Sequence, residues 1–180
     1  VYNNIVHDST GAAFGVNGGY NVLIANNTAY RVGSRSHVLE FVFGYHSCDG
    51  VTDPGCTSNR NAGGWGPVND PDWDTATRIP NKNVFVYNNV ILNPSGYKSQ
   101  WQQLEVPGPY SNARQNSAGA PNPAKADDNL RLRGNVVSNG PANHPLGVDN
   151  STGCASSNTG CNATQLKADN SFNKGAPQLV

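Results

Sequence analysis

Apolar residues recur along the chain in short runs that alternate with other side chains. Val22 and Ile24, Val84 and Val86, and Leu130 and Leu132 are each spaced by two, the period of a strand that buries one face. Each run leads into a pair of small polar positions ending in asparagine, after which a second short apolar stretch begins, as in "NVFVYNNVILNP" from Asn83. The same text recurs as "VYNNIVHDS" at the start, "NVLIANNTAYRV" from Asn21, "NLRLRGNVVSNG" from Asn129 and "TQLKADNSFNKG" from Thr164. The pattern predicts strand, one-residue bend, strand in every repeat. It does not predict hairpins, because no chain-reversing Asn-Gly turn separates the paired strands.

Aligned on the asparagine, the repeats give the column Asn4, Asn27, Asn89, Asn135 and Asn170. The position before it reads Asn3, Asn26, Asn88, Gly134 and Asp169, residue types that tolerate a left-handed backbone, so a bend with φ > 0 is expected in each repeat. The intervals between column members are 23, 62, 46 and 35 residues. A coil of about 23 residues is therefore the minimum unit, and the longer intervals carry insertions at about 45–81 and 107–127. Each interval holds a further apolar strand: "AAFGV" from Ala12, "HVLEFVFG" from His37, "QWQQLEVPG" from Gln100 and "PLGV" from Pro145, with "PQLV" from Pro177 as the start of another. Four coils stacked at one strand spacing make a body about 20 Å tall.

Through these coils and the asparagine column, nearly the whole chain resembles the right-handed parallel β-helix superfamily that includes pectate lyases and related polysaccharide-active proteins. The resemblance implies an all-β solenoid in which the asparagines line the inside of one bend as a ladder. The physics agrees, since a buried amide needs partners and identical amides stacked at one strand spacing supply them. Members of the superfamily cleave, epimerise or bind polysaccharide on the outer face of one sheet. The paired aspartates and "GHG" of polygalacturonases and the "DPHE" of mannuronan epimerases have no counterpart here.

Charge and cysteine content narrow the setting. Twelve basic and twelve acidic side chains cancel without clustering, so nucleic acid is not an expected partner. No run of about 18 apolar residues offers a membrane span. Cys48 with Cys56 and Cys154 with Cys161 form two close pairs in Gly/Asp/Ser/Thr-rich loops. Their spacings are wider than the C-x₂₋₄-C of zinc sites, so local disulfides are expected, and with them an extracellular or cell-surface location. The sequons at Asn26, Asn150 and Asn162 point the same way. The chain contains no methionine, opens inside a repeat and stops at "APQLV", so we expect one β-helix domain over 1–180 that is a piece of a longer protein.

Candidate chemistry follows from facing the strands. If Leu39, Phe41 and Phe43 point inward, Val38, Glu40 and Val42 point outward; if Leu104 and Val106 point inward, Trp101, Gln103 and Glu105 point outward, with Gly15 and Gly147 on neighbouring coils. Two carboxylates, an amide and an indole on a shallow face suit a sugar ring, the aromatic plane stacking and the polar groups orienting it. The same carboxylates could serve as general acid and base, and Arg35 and His37 lie near Glu40 as the base a lyase would need. Ordinary solvent-facing glutamates are the bland alternative. Asp127-Asp128 reads as a loop feature. Asp70, Asp72 and Asp74 alternate like the opening of a calcium loop, but no Gly or Glu follows at EF-hand positions, so calcium is only a weak expectation.

The sequence leans to an extracellular, non-catalytic β-helix module that is structural or glycan-associated. In a structural version, unpaired strand edges would stack such modules end to end into a filament. The alternative is a polysaccharide-active enzyme, a uronic-acid lyase before a glycoside hydrolase. No cofactor is expected beyond calcium, and no partner beyond glycan and a second copy of the chain.

Overall fold

The computed structural model describes residues 1–47, 77–112 and 119–175, together with the isolated positions 58, 61, 65, 68, 69 and 177. Among the described residues the strands are β1 Ile5–Ser9, β2 Phe14–Asn17, β3 Tyr20–Ala25, β4 Thr28–Val32, β5 Leu39–Val42, β6 His46–Ser47, β7 Val68–Asn69, β8 Lys82–Tyr87, β9 Val90–Leu92, β10 Leu104–Glu105, β11 Asp128–Arg133, β12 Val136–Ser138 and β13 Ser171–Phe172, and a helix, α1, spans Ala163–Asp169. Three sheets are wholly parallel: β1-β4-β9-β12-β13, β10-β5-β2 and β11-β8-β3. Only the short β6/β7 pair is antiparallel among the named strands. The architecture is mostly β, with successive strands from each repeat passing to different sheets, and is compatible with a parallel β-helix.

The period-two pattern lands in register. Val22, Val84 and Leu130 sit side by side, as do Ile24, Val86 and Leu132, and these side chains join Phe14, Leu39, Phe41, Ile91, Leu104 and Val137 in one continuous core. The "PLGV" stretch lies along β10, with Gln103 N–H donating to Pro145 O and Leu104 N–H to Leu146 O. The "PQLV" stretch falls almost entirely outside the described residues, and so do Cys48, Cys56, Asp70, Asp72 and Asp74.

The asparagine column is a ladder of amides. Asn4 Nδ2 donates to Asn27 Oδ1 at 3.0 Å, Asn27 Nδ2 to Asn89 Oδ1 at 2.8 Å, Asn89 Nδ2 to Asn135 Oδ1 at 2.9 Å and Asn135 Nδ2 to Asn170 Oδ1 at 2.8 Å. Each acceptor oxygen also takes the backbone N–H of the residue that donates to it. The preceding residues Asn3, Asn26, Asn88 and Gly134 have φ of 56°, 54°, 55° and 68°. Two further columns were not singled out from the sequence. Asn93 donates to Asn139 inside the next bend at 2.8 Å, and Asn21, Asn83 and Asn129 form an outer ladder at the strand entries, again with positive φ.

The last repeat departs from expectation. Asp169 does not bend with φ > 0 but ends α1, and the residues before it form a helix in place of a strand. Physically, "ATQLKAD" lacks apolar alternation: it offers one core residue, Leu166, among good helix formers. Asn162 caps it, its side chain accepting from Gln165 N–H at 2.9 Å. Asn170 still reaches the ladder from the helix C-cap, while α1 packs on β11. The Cys154–Cys161 disulfide closes the preceding loop, which Asp127 ties down by accepting from Cys154 N–H and Asn158 Nδ2; Asp127 is thus a loop anchor.

The second insertion is pinned rather than free-standing. Asn112 accepts from Arg78 N–H and donates to Arg78 O, and the Arg78 guanidinium lies 4.3 Å from the Tyr45 ring centroid and 4.6 Å from that of Tyr110. Stacking of this kind holds the edge of one insertion against the other.

Candidate functional site

Sheet β10-β5-β2 carries the candidate chemistry because its register brings distant acids together. Glu105 pairs with Glu40, and Glu40 with Gly15. The turns that enter these strands stack too: Gly33 O accepts from Gln100 N–H, and Ser36 O from Trp101 N–H. Gly33 is required here, since its φ is +82° and an added Cβ would come within 2.8 Å of His37 O. The stacked turns set the His37 and Trp101 rings 5.2 Å apart, tilted by 45°.

His37 is the centre of the cluster. Its Nδ1 lies 3.3 Å from Glu40 Oε1 and 3.3 Å from Glu105 Oε2. Ser36 Oγ donates to Glu40 Oε1 in a short contact, and His37 N–H faces the same oxygen at 3.4 Å. Burial by itself would depress the imidazole pKa, but hydrogen bonds and the negative charge of Glu105 and Glu40 outweigh it and raise the pKa above 6.5. Trp101 stays 48% exposed beside this buried histidine.

A groove of about 540 Å³ opens next to the cluster, lined by His37, Gln102, Glu105, Gly147, Asp149 and Lys167 among others. Gly147 lines it at φ +93°, and a Cβ there would overlap the Leu104 carbonyl oxygen.

The structure therefore gathers Glu40, Glu105, His37 and Trp101 and separates Gln103 and Val38 from them. Gln103 was expected to face outward but is 1% exposed, its Oε1 accepting from Asn139 Nδ2 inside the second ladder. Val38 is likewise buried. Both precede the first residue of their strands, β10 and β5, so strand alternation does not extend to them and the turn points them inward. Arg35 is exposed, with its N–H bonded to Thr10 O. Of the sequons, Asn26 and Asn150 are exposed, and Asn162 is engaged as the α1 cap, donating to Asn158 O at 2.7 Å.

Ser36, Gln102 and Lys167 were missed. Only the adjacency of Ser36 to His37 could have signalled the first, and Lys167 reaches the groove because "ATQLKAD" is a helix. No helix among the described residues is long and apolar enough to cross a membrane. Comparison with protein-family models, with curated proteins and with solved structures returns no match.

Proposed function

We propose that the chain is a right-handed parallel β-helix of the pectate-lyase-like kind, acting outside the cell as a non-catalytic glycan-binding module. The observation that carries this reading is Trp101, a half-exposed indole 5.2 Å from the ring of His37, which with Glu105 lines the groove. Amphipathic platforms of this type suit the apolar face of a sugar, and the carboxylates suit its hydroxyls. Three acids, Glu40, Glu105 and Asp149, against His37 and Lys167 favour a neutral glycan over a polyuronate. The oxidised Cys154–Cys161 pair fits a secreted setting.

A panel of neutral and acidic oligosaccharides titrated calorimetrically into the protein tests the reading. Saturable binding to a neutral oligosaccharide, weakened at least tenfold by Trp101→Ala, supports it. No saturable binding to any member sinks it, as does binding that Trp101→Ala leaves unchanged.

One observation favours an enzymatic alternative. The carboxylates of Glu40 and Glu105 come together with the His37 imidazole, their polar atoms within 4.8 Å of one another, and a close pair of acids is what glycoside hydrolysis uses. Release of reducing ends would mark a hydrolase. A near-ultraviolet rise from unsaturated product would mark a lyase.

A further inference from the structure

At the His37 cluster one imidazole nitrogen is shared between two carboxylates. An imidazole nitrogen carries at most one hydrogen, yet Nδ1 of His37 faces Glu40 Oε1 and Glu105 Oε2 at the same 3.3 Å. Both separations exceed the roughly 2.7–2.9 Å of a good charge-assisted bond. Glu40 Oε1 is meanwhile already met by Ser36 Oγ and by His37 N–H. The two Nδ1–carboxylate separations are loose for hydrogen bonds but match the spacing of ligand atoms around one ion, and all three atoms lie within 4.8 Å of one another. Donors placed about 2.0–2.2 Å from a zinc-sized ion are themselves about 3.0–3.5 Å apart when they subtend angles between octahedral and tetrahedral.

We propose that His37 Nδ1, Glu40 Oε1 and Glu105 Oε2 form a three-ligand site for a divalent cation of the zinc class. An imidazole in the set favours such an ion over calcium or magnesium, whose ligands are oxygen. Its two charges would balance the two carboxylates, removing the repulsion built into the register pair Glu40 and Glu105. Ser36 Oγ donates to the same Glu40 Oε1 that would ligate and fixes its position, the kind of outer support that orients a ligating carboxylate. Three protein ligands leave coordination positions free. The Glu105 side chain is 43% exposed and, with His37, lines the groove, so water or a sugar hydroxyl would complete the sphere from that side.

The site stands on these residues alone, independently of the glycan reading. The test is calorimetric titration of Zn²⁺ into the full chain after dialysis against a chelator, with Glu105→Gln, Ser36→Ala, Asp149→Asn and Trp101→Ala alongside. One ion per chain is expected, with affinity reduced tenfold or more in Glu105→Gln and about tenfold in Ser36→Ala, and unchanged in Asp149→Asn and Trp101→Ala. Glu105 is at the surface, so unaltered far-ultraviolet dichroism should show that its variant folds; Ser36→Ala provides a second probe of the same ligand set. Absence of saturable one-to-one binding overturns the proposal. So does binding that Glu105→Gln and Ser36→Ala both leave intact, which would place the ion elsewhere. Loss of the cation result with Trp101-dependent oligosaccharide binding retained removes the metal site and leaves the glycan reading standing.

Discussion

Replacing Asn89 with alanine removes the central rung of the buried ladder, and the structure allows its cost to be worked out. Its Oδ1 accepts from Asn27 N–H at 2.9 Å and from Asn27 Nδ2 at 2.8 Å, while its Nδ2 donates to Ile24 O at 3.0 Å and to Asn135 Oδ1 at 2.9 Å. Asn135 Oδ1 would keep the backbone N–H of residue 89. The Asn27 N–H would be stranded, Asn27 Nδ2 would keep only Val1 O at 3.3 Å, and Ile24 O would lose its side-chain partner, at a position only 1% exposed. At about 1–3 kcal/mol for a stranded buried donor, the expected loss is about 1–3 kcal/mol. With a urea dependence of about 2 kcal/mol per molar, the unfolding midpoint should fall by about 0.5–1.5 M, read by far-ultraviolet dichroism. Two controls isolate the cause. Asn4→Ala removes the same chemistry at the exposed end of the ladder, where water replaces the amide, and should cost less than about 1 kcal/mol. Asn88→Gly removes the neighbouring amide at φ +55°, a conformation glycine adopts freely, and should be nearly neutral. A midpoint shift for Asn89→Ala no larger than that of either control would refute the reasoning.

The remaining predictions concern the groove and the histidines. Gly147→Ala must accept φ +93° and a Cβ that overlaps Leu104 O and comes within 2.8 Å of Gln102 Cβ; a destabilisation of about 2 kcal/mol or more is expected in the same urea titration, and wild-type stability would mean the packing around Gly147 is not as tight as described. In metal-free protein, proton NMR should show His37 titrating above 6.5 and His144 below it. For His144 burial is the main cause, a backbone bond to Trp101 opposes it and the charge of Lys98 adds to it. A histidine whose folded pKa is depressed contributes stability above its unfolded value near 6.5, lost as pH falls through the folded midpoint. His144→Gln should therefore flatten the decline in stability below that pH, and an unchanged slope would count against the assignment.

The ladder was legible because its signal is chemical as well as periodic. An amide that must be buried at a bend can be satisfied by another amide one strand spacing away, so Asn27, Asn89 and Asn135 recur whatever the insertions between them. The bend residues Asn26, Asn88 and Gly134 were legible for a different reason, the left-handed backbone they tolerate. Asp169 satisfied the same composition rule and still failed, because the rule describes what a bend permits and not what the preceding residues prefer. With Leu166 as its one core side chain, that segment gained more from helix than from a strand with nothing to alternate. Asn170 kept its place because a helix C-cap delivers an amide to the same point.

Gln103 and Val38 mark where period-two reasoning stops. Alternation is a property of extended backbone, and both residues lie one position before their strands begin, in turns whose phase is set by Gly33 and Ser99. Once inside, Gln103 is held there: its Oε1 takes a hydrogen from Asn139 Nδ2, whose Oδ1 accepts in turn from Asn93 Nδ2 and Ser99 N–H. This second ladder also explains how Glu40 and Glu105, separated by 65 residues (105 − 40), come to face one histidine. Sliding β10 by two residues against β5 would preserve its inward and outward faces, so hydrophobic burial alone does not forbid it. Such a slip would take Gln103 away from Asn139 and leave buried amide groups unpaired, at about 1–3 kcal/mol each. The amides inside the bends thereby select the one register in which the two outer carboxylates meet His37.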